Sequence, residues 1–127
     1  MSSRFTLHTV TSARDLREFL DVPVSLYRHD PHWVQPLYSE RRSHFGPGNP
    51  YFAHAEVRFR IARDVRGRPV GRLSSQHDRL AQPTDGRREG HFGLLEAADA
   101  EVMGVLLADA ESWCRERGLA RIVGPYS

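Results

Sequence analysis

The sequence contains no lysine, so all 18 of its basic residues are arginine. This absence excludes Schiff-base chemistry, a lysine general base and the Gly-Lys-Ser/Thr phosphate loop of nucleotidases. Cys114 is the single cysteine, which excludes a disulfide within the chain. The apolar runs are far shorter than the ~20 residues that a membrane span needs, and the first residues lack the apolar stretch of a signal peptide. We therefore expect a soluble, cytoplasmic protein without a membrane partner.

The residues that are present have the composition of an ordinary globular chain. The length of 127 residues fits one domain, and hydrophobic residues make up 39% and charged residues 27% of it. The formal net charge is only +2, and the arginines are dispersed instead of forming one basic run. Composition predicts a single domain over 1–127 and leaves its function open.

The first helix is predicted by its start signal and by one apolar face. Ser12 lies three residues before Asp15, a spacing at which a hydroxyl and a carboxylate satisfy the free N–H groups of a helix start. Pro23 interrupts the helical pattern, because proline has no N–H to donate. We expect a helix over 12–21 and a kinked or separate piece to about 28.

The strands are predicted by alternation and by short apolar runs bounded by turns. The expected strands are 4–10, 57–61, 70–75, 91–97 and 119–123. The polar stretch 76–90 is expected to be the most mobile segment, and 38–45 to form two helical turns. Gly124 and Pro125 are expected to end the last strand.

The clearest helix precedes the last strand. Asp99 is a good N-cap, and Gly118 is a good residue just beyond the C-terminal end. The apolar residues that share one face at 100° per residue are Val102, Met103, Leu106, Leu107, Ala110, Trp113 and Cys114. The order of elements is β-α-(α)-β-β-β-α-β, which predicts an α+β fold with a mixed sheet and one strand–helix–strand crossover.

Four strings of residues carry a family resemblance: DPHWVQPL at 30–37, NPYFAHAE at 49–56, RGRPVGR at 66–72 and FGLLE at 92–96. With the order of elements, they make the chain resemble a bacterial branch of the acyl-CoA N-acyltransferase superfamily, the GCN5-related acetyltransferases. The resemblance implies transfer of an acyl group, such as acetyl from acetyl-CoA, to a small-molecule amine.

The resemblance also implies roles for individual residues. Glu96, at the end of the fourth strand, matches the position of a base that deprotonates the amine. Tyr126, just after the fifth strand, matches a tyrosine that protonates the leaving thiolate. The positions implied for cofactor contacts are Leu94, Leu95, Ala98, Asp99 and Ala100.

The sequence departs from the superfamily pattern in two places. The pyrophosphate loop Arg/Gln-x-x-Gly-x-Gly/Ala is replaced by Glu-Ala-Ala-Asp-Ala-Glu at 96–101. We expect Asp99 to occupy free N–H groups of the helix, and Glu96 and Glu101 to repel a pyrophosphate. The chain also stops at Ser127, where the superfamily continues with a helix and a strand hairpin, so we expect a partial domain. Its last strand would be an exposed edge that favours a homodimer.

Two other functions remain open. If the missing loop abolishes cofactor binding, the chain would be a non-catalytic interaction or remnant domain with the same fold. If Arg58, Arg60 and Arg72 line the solvent face of the hairpin, they could grip nucleic-acid phosphates, although no recognition motif accompanies them.

Metal binding and thiol chemistry are not expected. His29 and His32 form one closely spaced pair, which is too few ligands for a tetrahedral zinc site. Cys114 lies on the apolar stripe of its helix, where a packed and inert thiol is expected.

Overall fold

The structure is a computed structural model that describes residues 4–27, 54–79 and 88–126. Its helices and strands are β1 (Thr6–Thr9), α1 (Ala13–Tyr27), β2 (Ala55–Arg63), β3 (Pro69–Asp78), β4 (Glu89–Ala97), α2 (Ala100–Glu116) and β5 (Arg121–Tyr126). The five strands form one sheet in the order β1-β2-β3-β4-β5. The pairs β1–β2, β2–β3 and β3–β4 are antiparallel, whereas the pair β4–β5 is parallel. This mixed sheet confirms the predicted α+β fold and the crossover through α2.

The sheet lies between the two helices. On one face, Phe19 and Val22 of α1 pack against Ile61 of β2. On the other face, Leu106 of α2 packs against Ala62. Because neighbouring strand residues point to opposite faces, Ile61 and Ala62 enter different cores, and both are fully buried. Neither of the described helices is long and apolar enough to cross a membrane.

The predicted solvent-facing stripe of arginines is not formed. Arg58 and Arg60 lie under α2, where both bond to the carboxylate of Asp109. Arg72 points to the opposite face and is 5% exposed. The expectation was wrong because it assumed that one face of the hairpin meets water, whereas each face is covered by a helix.

Helix α1 begins as predicted, since the Asp15 N–H donates to Ser12 Oγ at 3.0 Å. It then continues through Pro23 to Tyr27, so the alternative of a separate second piece is wrong. Pro23 cannot donate to the carbonyl of Phe19, four residues earlier. Instead, Nη1 of Arg72 donates to that carbonyl at 3.1 Å. A buried side chain from the sheet therefore supplies the donor that the helix lacks.

Strands β2, β3 and β4 extend further than predicted, whereas β1 is shorter and β5 begins two residues later, at Arg121. Residues 76–78 belong to β3, and residues 89–90 belong to β4. Strand β5 continues through Gly124 and Pro125 to Tyr126. Its pairing with β4 is irregular there, because two residues of β5 lie between Val123 and Tyr126 and only one residue of β4 lies between their partners. The segments 38–45 and 80–87 lie outside the described residues. Strand β5 is at the edge of the described sheet, and dimerisation through it stays a prediction.

Helix α2 has the predicted caps. The Asp99 side chain accepts the N–H of Val102 at 2.9 Å, and Gly118 follows the C-cap with φ +69°. The predicted apolar face is confirmed for the buried residues Val102, Leu106, Ala110, Trp113 and Cys114. Met103 is 42% exposed, so the prediction was wrong there. The buried face narrows toward the N-terminus of the helix.

Candidate active site

Strand β4 contains a bulge next to the predicted functional residues. Arg72 pairs with Glu96 and Ser74 with Gly93, so the single residue between them on β3 faces two residues on β4. One of those two is Leu94, whose φ of +52° lies in the left-handed region. The bulge places Leu94 in the core under α1 and turns Glu96 toward the same side.

The described pairing of β4 with β5 runs from Glu89–Arg121 to Gly93–Tyr126, and Tyr126 is the last residue that the structure describes. The pairing of β4 with β3 continues to Ala97. Gly124 allows a close approach of β5 to β4, because a Cβ there would lie 2.5 Å from the carbonyl oxygen of Phe92.

Glu96 and Tyr27 contact each other near the end of β4. The Tyr27 hydroxyl, at the last residue of α1, donates a short hydrogen bond to Oε1 of Glu96. This bond, with smaller effects of burial and of the Glu96 charge, raises the pKa of Tyr27 to about 12. Both side chains are partly exposed. Tyr27 therefore stays a neutral donor to the carboxylate across the physiological pH range.

A buried arginine lies beside this pair. Nε of Arg72 donates to the carbonyl of Leu94 at 3.0 Å, and Nη1 donates to the carbonyl of Phe19 at 3.1 Å. The guanidinium also lies over the Phe19 ring, 5.1 Å from its centroid. Arg72 is the cross-strand partner of Glu96, and its charge acts to lower the pKa of Tyr27.

The residues implied for cofactor contacts lie at the bulge and the α2 start. The side chains of Leu94 and Leu95 pack into opposite cores, and the Leu94 carbonyl accepts a hydrogen bond from Nε of Arg72. The N–H of Ala98 donates to the Val70 carbonyl at 2.9 Å. The Tyr126 backbone pairs with Gly93 of β4.

The start of α2 is a poor fit for a pyrophosphate. Asp99 takes the N–H of Val102 and adds its own negative charge at the positive end of the helix dipole. Glu101 adds a second carboxylate, which accepts a hydrogen bond from Arg4 at 2.8 Å. Two carboxylates in the first turn disfavour a pyrophosphate there. The departure that the sequence predicts is therefore also present in the geometry.

The sequence analysis names Glu96 as a candidate but does not indicate its neighbours Tyr27 and Arg72. Tyr27 looks like a packing residue of α1, and nothing in the sequence pairs it with a residue 69 positions away. Arg72 looks like a solvent residue of an alternating strand. Its hydrogen-bond acceptors are the carbonyl of Phe19, which lacks a helical partner because of Pro23, and the carbonyl of Leu94 in the bulge. Local sequence patterns do not reveal these two contacts.

The cysteine and the other candidate metal ligands form no second site within the part of the chain that the structure describes. Burial raises the pKa of the Cys114 thiol, and the side chain is 3% exposed, as expected for an inert cysteine. Within 4–27, 54–79 and 88–126, no cluster of three His, Cys, Asp or Glu side chains could hold a metal ion. His29 and His32 lie outside the described residues.

Two curated proteins are similar in sequence to the chain, and no family model matches it. The bacterial ceramide synthase of Caulobacter vibrioides (strain NA1000 / CB15N) is 44% identical over 121 residues, which are 93% of this chain and 31% of that protein. Protein YghO of Escherichia coli (strain K12) is 36% identical over 122 residues, which are 95% of this chain and 31% of that protein. The chain therefore spans about a third of the length of the curated relatives it matches.

Solved structures with a similar backbone include several acetyltransferases. A predicted acetyltransferase from Clostridium acetobutylicum, crystallised with acetyl-CoA, aligns with a TM-score of 0.67 over 97% of this chain and 81% of that one. The sequence identity is 8%, so the likeness concerns the fold alone. The chain has the acyl-CoA N-acyltransferase fold of the GCN5-related acetyltransferases.

Proposed function

We propose that this domain transfers an acyl group from an acyl-CoA thioester to a primary amine. The observation that carries the proposal is the position of the Glu96 carboxylate, which Tyr27 holds near the end of β4, just after the bulge. The fold supports the reaction class, because its solved neighbours include acetyltransferases. A fold alone does not define an activity, so the proposal depends on this carboxylate.

Acylation of an amine needs a base, because an ammonium group has no lone pair to attack a carbonyl carbon. In the reaction a bond forms between the amine nitrogen and the thioester carbon, and the C–S bond breaks. The ammonium loses two protons, and we assign the first transfer to Glu96. We propose that Tyr126 donates its hydroxyl proton to the leaving thiolate and recovers a proton from the acylated nitrogen, which leaves the neutral amide. Tyr27 keeps the Glu96 carboxylate in one orientation.

We propose that the extended arm of the donor pairs with the main chain of β4 after the bulge. The pantetheine arm of coenzyme A carries two amide groups, which can pair with the open main-chain edge of a strand. The start of α2 suits the pyrophosphate poorly, because of Asp99 and Glu101. We therefore propose that the arm and the acyl chain provide most of the binding free energy of the donor.

The name of the Caulobacter relative suggests which substrates to test first. A ceramide is the amide of a fatty acid and a long-chain amino alcohol. We propose a long-chain acyl-CoA as the donor and a long-chain amino alcohol as the acceptor. Acetyl-CoA with small-molecule amines is the second pair to test.

The test is thiol release and amide formation with the purified protein, palmitoyl-CoA and sphinganine. The released thiol is measured with a colorimetric thiol reagent, and the amide product is measured by mass spectrometry. We expect Glu96→Gln to lower the rate by about 100-fold or more, because the variant removes the base. Glu111→Gln is the matched control, since that carboxylate is exposed on α2 and pairs only with Arg115 at 3.7 Å. A Glu96→Gln rate equal to wild type would overturn the assignment of the base.

A second candidate, a non-catalytic interaction domain, is favoured by one observation. Asp99 caps α2 and places its charge where the superfamily binds pyrophosphate. Calorimetric titration with palmitoyl-CoA and with acetyl-CoA separates the two candidates. Heat of binding with either donor supports the transferase, and no binding of either favours the non-catalytic domain.

A further inference from the structure

Arg72 is a charged side chain with almost no contact with water. It is 5% exposed and is held by hydrogen bonds to two main-chain carbonyls and by the face of Phe19. Burying a guanidinium is costly unless its donors are satisfied. An apolar residue of similar length would fill this space at lower cost, so packing alone does not explain the choice of arginine.

Both carbonyls lie where regular secondary structure is interrupted. The Phe19 carbonyl lacks its helical partner because of Pro23. The Leu94 carbonyl belongs to the bulge residue with φ +52°. A leucine in the left-handed region is strained and persists only when its surroundings fix it. The bond from Arg72 is one such constraint.

The two carbonyls lie on the two elements that carry the Glu96–Tyr27 pair. Glu96 follows Leu94 by two residues on β4, and Tyr27 follows Phe19 by about two turns on α1. The guanidinium is a rigid planar fork, so it sets the distance and angle between these elements. A flexible ammonium at the end of a lysine cannot hold two carbonyls in the same fixed geometry.

We propose that Arg72 is a positioning residue that fixes the bulge of β4 and aligns the Glu96 carboxylate with the Tyr27 hydroxyl. Its effect on catalysis rests on the function proposed above. Its effect on the alignment of the pair does not, because it can be measured in the protein without substrate. The two carbonyl contacts also explain why an arginine occupies this position, which packing and charge alone do not explain.

The first test is NMR of the ring carbon that bears the Tyr27 hydroxyl, which responds to the hydrogen bond with Glu96. Tyr27→Phe assigns the signal among the four tyrosines. We expect Arg72→Lys to shift this signal toward that of an exposed tyrosine. Arg63→Met is the matched control, because Arg63 also joins the sheet to α1, through Glu18. Its Tyr27 signal is expected to stay in place.

Pro23→Ala keeps the test decisive if Arg72→Lys does not fold. Alanine restores a helical N–H that competes with Arg72 for the Phe19 carbonyl, so this variant is expected to fold. We expect it to shift both the Nη1–H signal of Arg72, which reports the bond to the Phe19 carbonyl, and the Tyr27 signal. An unchanged Tyr27 signal in folded Pro23→Ala, or in folded Arg72→Lys, overturns the proposal.

Kinetics then separate the positioning role from the function. If the domain is a transferase, we expect Arg72→Lys to lower kcat about tenfold to a hundredfold and to change the KM of the donor less than twofold. If the Tyr27 signal shifts but the wild type transfers no acyl group, the function fails and the positioning role stands. If the wild type is active and Arg72→Lys matches it in kcat, the positioning role fails.

Discussion

Asp109 of α2 and Arg60 of β2 form a two-point ion pair between helix and sheet, with Nε to Oδ2 at 3.1 Å and Nη2 to Oδ1 at 2.9 Å. Arg58 adds a bond from Nη2 to the same carboxylate at 2.6 Å. The three side chains are at most 20% exposed. Burial lowers the pKa of the Arg58 guanidinium, and Asp109 acts in the opposite direction. One carboxylate thus supports two partly buried cations.

The first prediction is that Asp109→Ala strongly destabilises the domain. Removing one partner of a buried ion pair leaves the other charges without compensation, which costs about 3–5 kcal/mol. The measurement is the free energy of unfolding in urea. Glu111→Ala is the control, because Glu111 forms only an exposed pair with Arg115 at 3.7 Å and is expected to cost less than about 0.5 kcal/mol. Equal losses in both variants would contradict the structural role of Asp109.

The arginines of β2 show how far the sequence predicts this fold. Alternation correctly predicts a strand at Arg58 and Arg60, because the period of two is a local property. It does not reveal that α2 covers their face, since Asp109 lies about 50 residues away in the chain. The site divides in the same way. Glu96 is implied as a candidate by the family resemblance, whereas its contact with Tyr27 depends on how α1 crosses the sheet.

The second prediction compares a glycine of β3 that packs against α2 with a glycine inside α2. A Cβ at Gly71 of β3 would lie 2.7 Å from Cγ1 of Val102 and 2.9 Å from the Glu96 carbonyl oxygen. Gly71→Ala is therefore expected to destabilise the domain by about 1–3 kcal/mol through overpacking. A Cβ at Gly104, inside α2, would meet nothing within 4 Å, so Gly104→Ala should stabilise by about 0.5–1 kcal/mol. Thermal melts of both variants give the two signs, and a loss of stability in Gly104→Ala would contradict the packing described for α2.

The third prediction concerns stability in acid. The N–H and hydroxyl of Thr11 and the ring of His8 hold the pKa of Asp15 at about 2, below its ordinary value of 3.8. A carboxyl with a lowered pKa in the folded state stabilises the fold above its unfolded pKa, and this contribution is lost as the pH falls from about 4 to about 2.

Melting temperatures of the wild type and of Asp15→Asn between pH 5 and pH 2 provide the measurement. We expect Asp15→Asn to be less stable near pH 5 and the difference to shrink toward pH 2, where the wild-type carboxyl is protonated. A difference that stays constant over this range would show that Asp15 acts through packing or capping and not through its charge.

The last prediction tests the hydrogen bond at the candidate active site in the protein without substrate. The pKa of Tyr27 is raised to about 12, first by its hydrogen bond to Glu96 and then by burial and by the Glu96 charge. Glu96→Gln keeps an acceptor oxygen but removes the charge, so we expect the pKa of Tyr27 to move toward the ordinary value of about 10. Near pH 11 the phenol should be mainly neutral in the wild type, and a larger fraction of it should be ionised in the variant.

The raised value also has a consequence for stability, because a phenol that stays protonated in the fold stabilises it below about pH 10 and loses that contribution as the pH rises to about 12. Carbon NMR of the tyrosine rings from pH 9 to 12 follows the titration, with Tyr27→Phe to identify the signal. Glu101→Gln is the control, since Glu101 pairs with Arg4 and is not among the groups that act on Tyr27. A Tyr27 midpoint that is equal in wild type and Glu96→Gln would mean that the two side chains do not share a hydrogen bond in solution, and Glu96 would lose the partner that orients it.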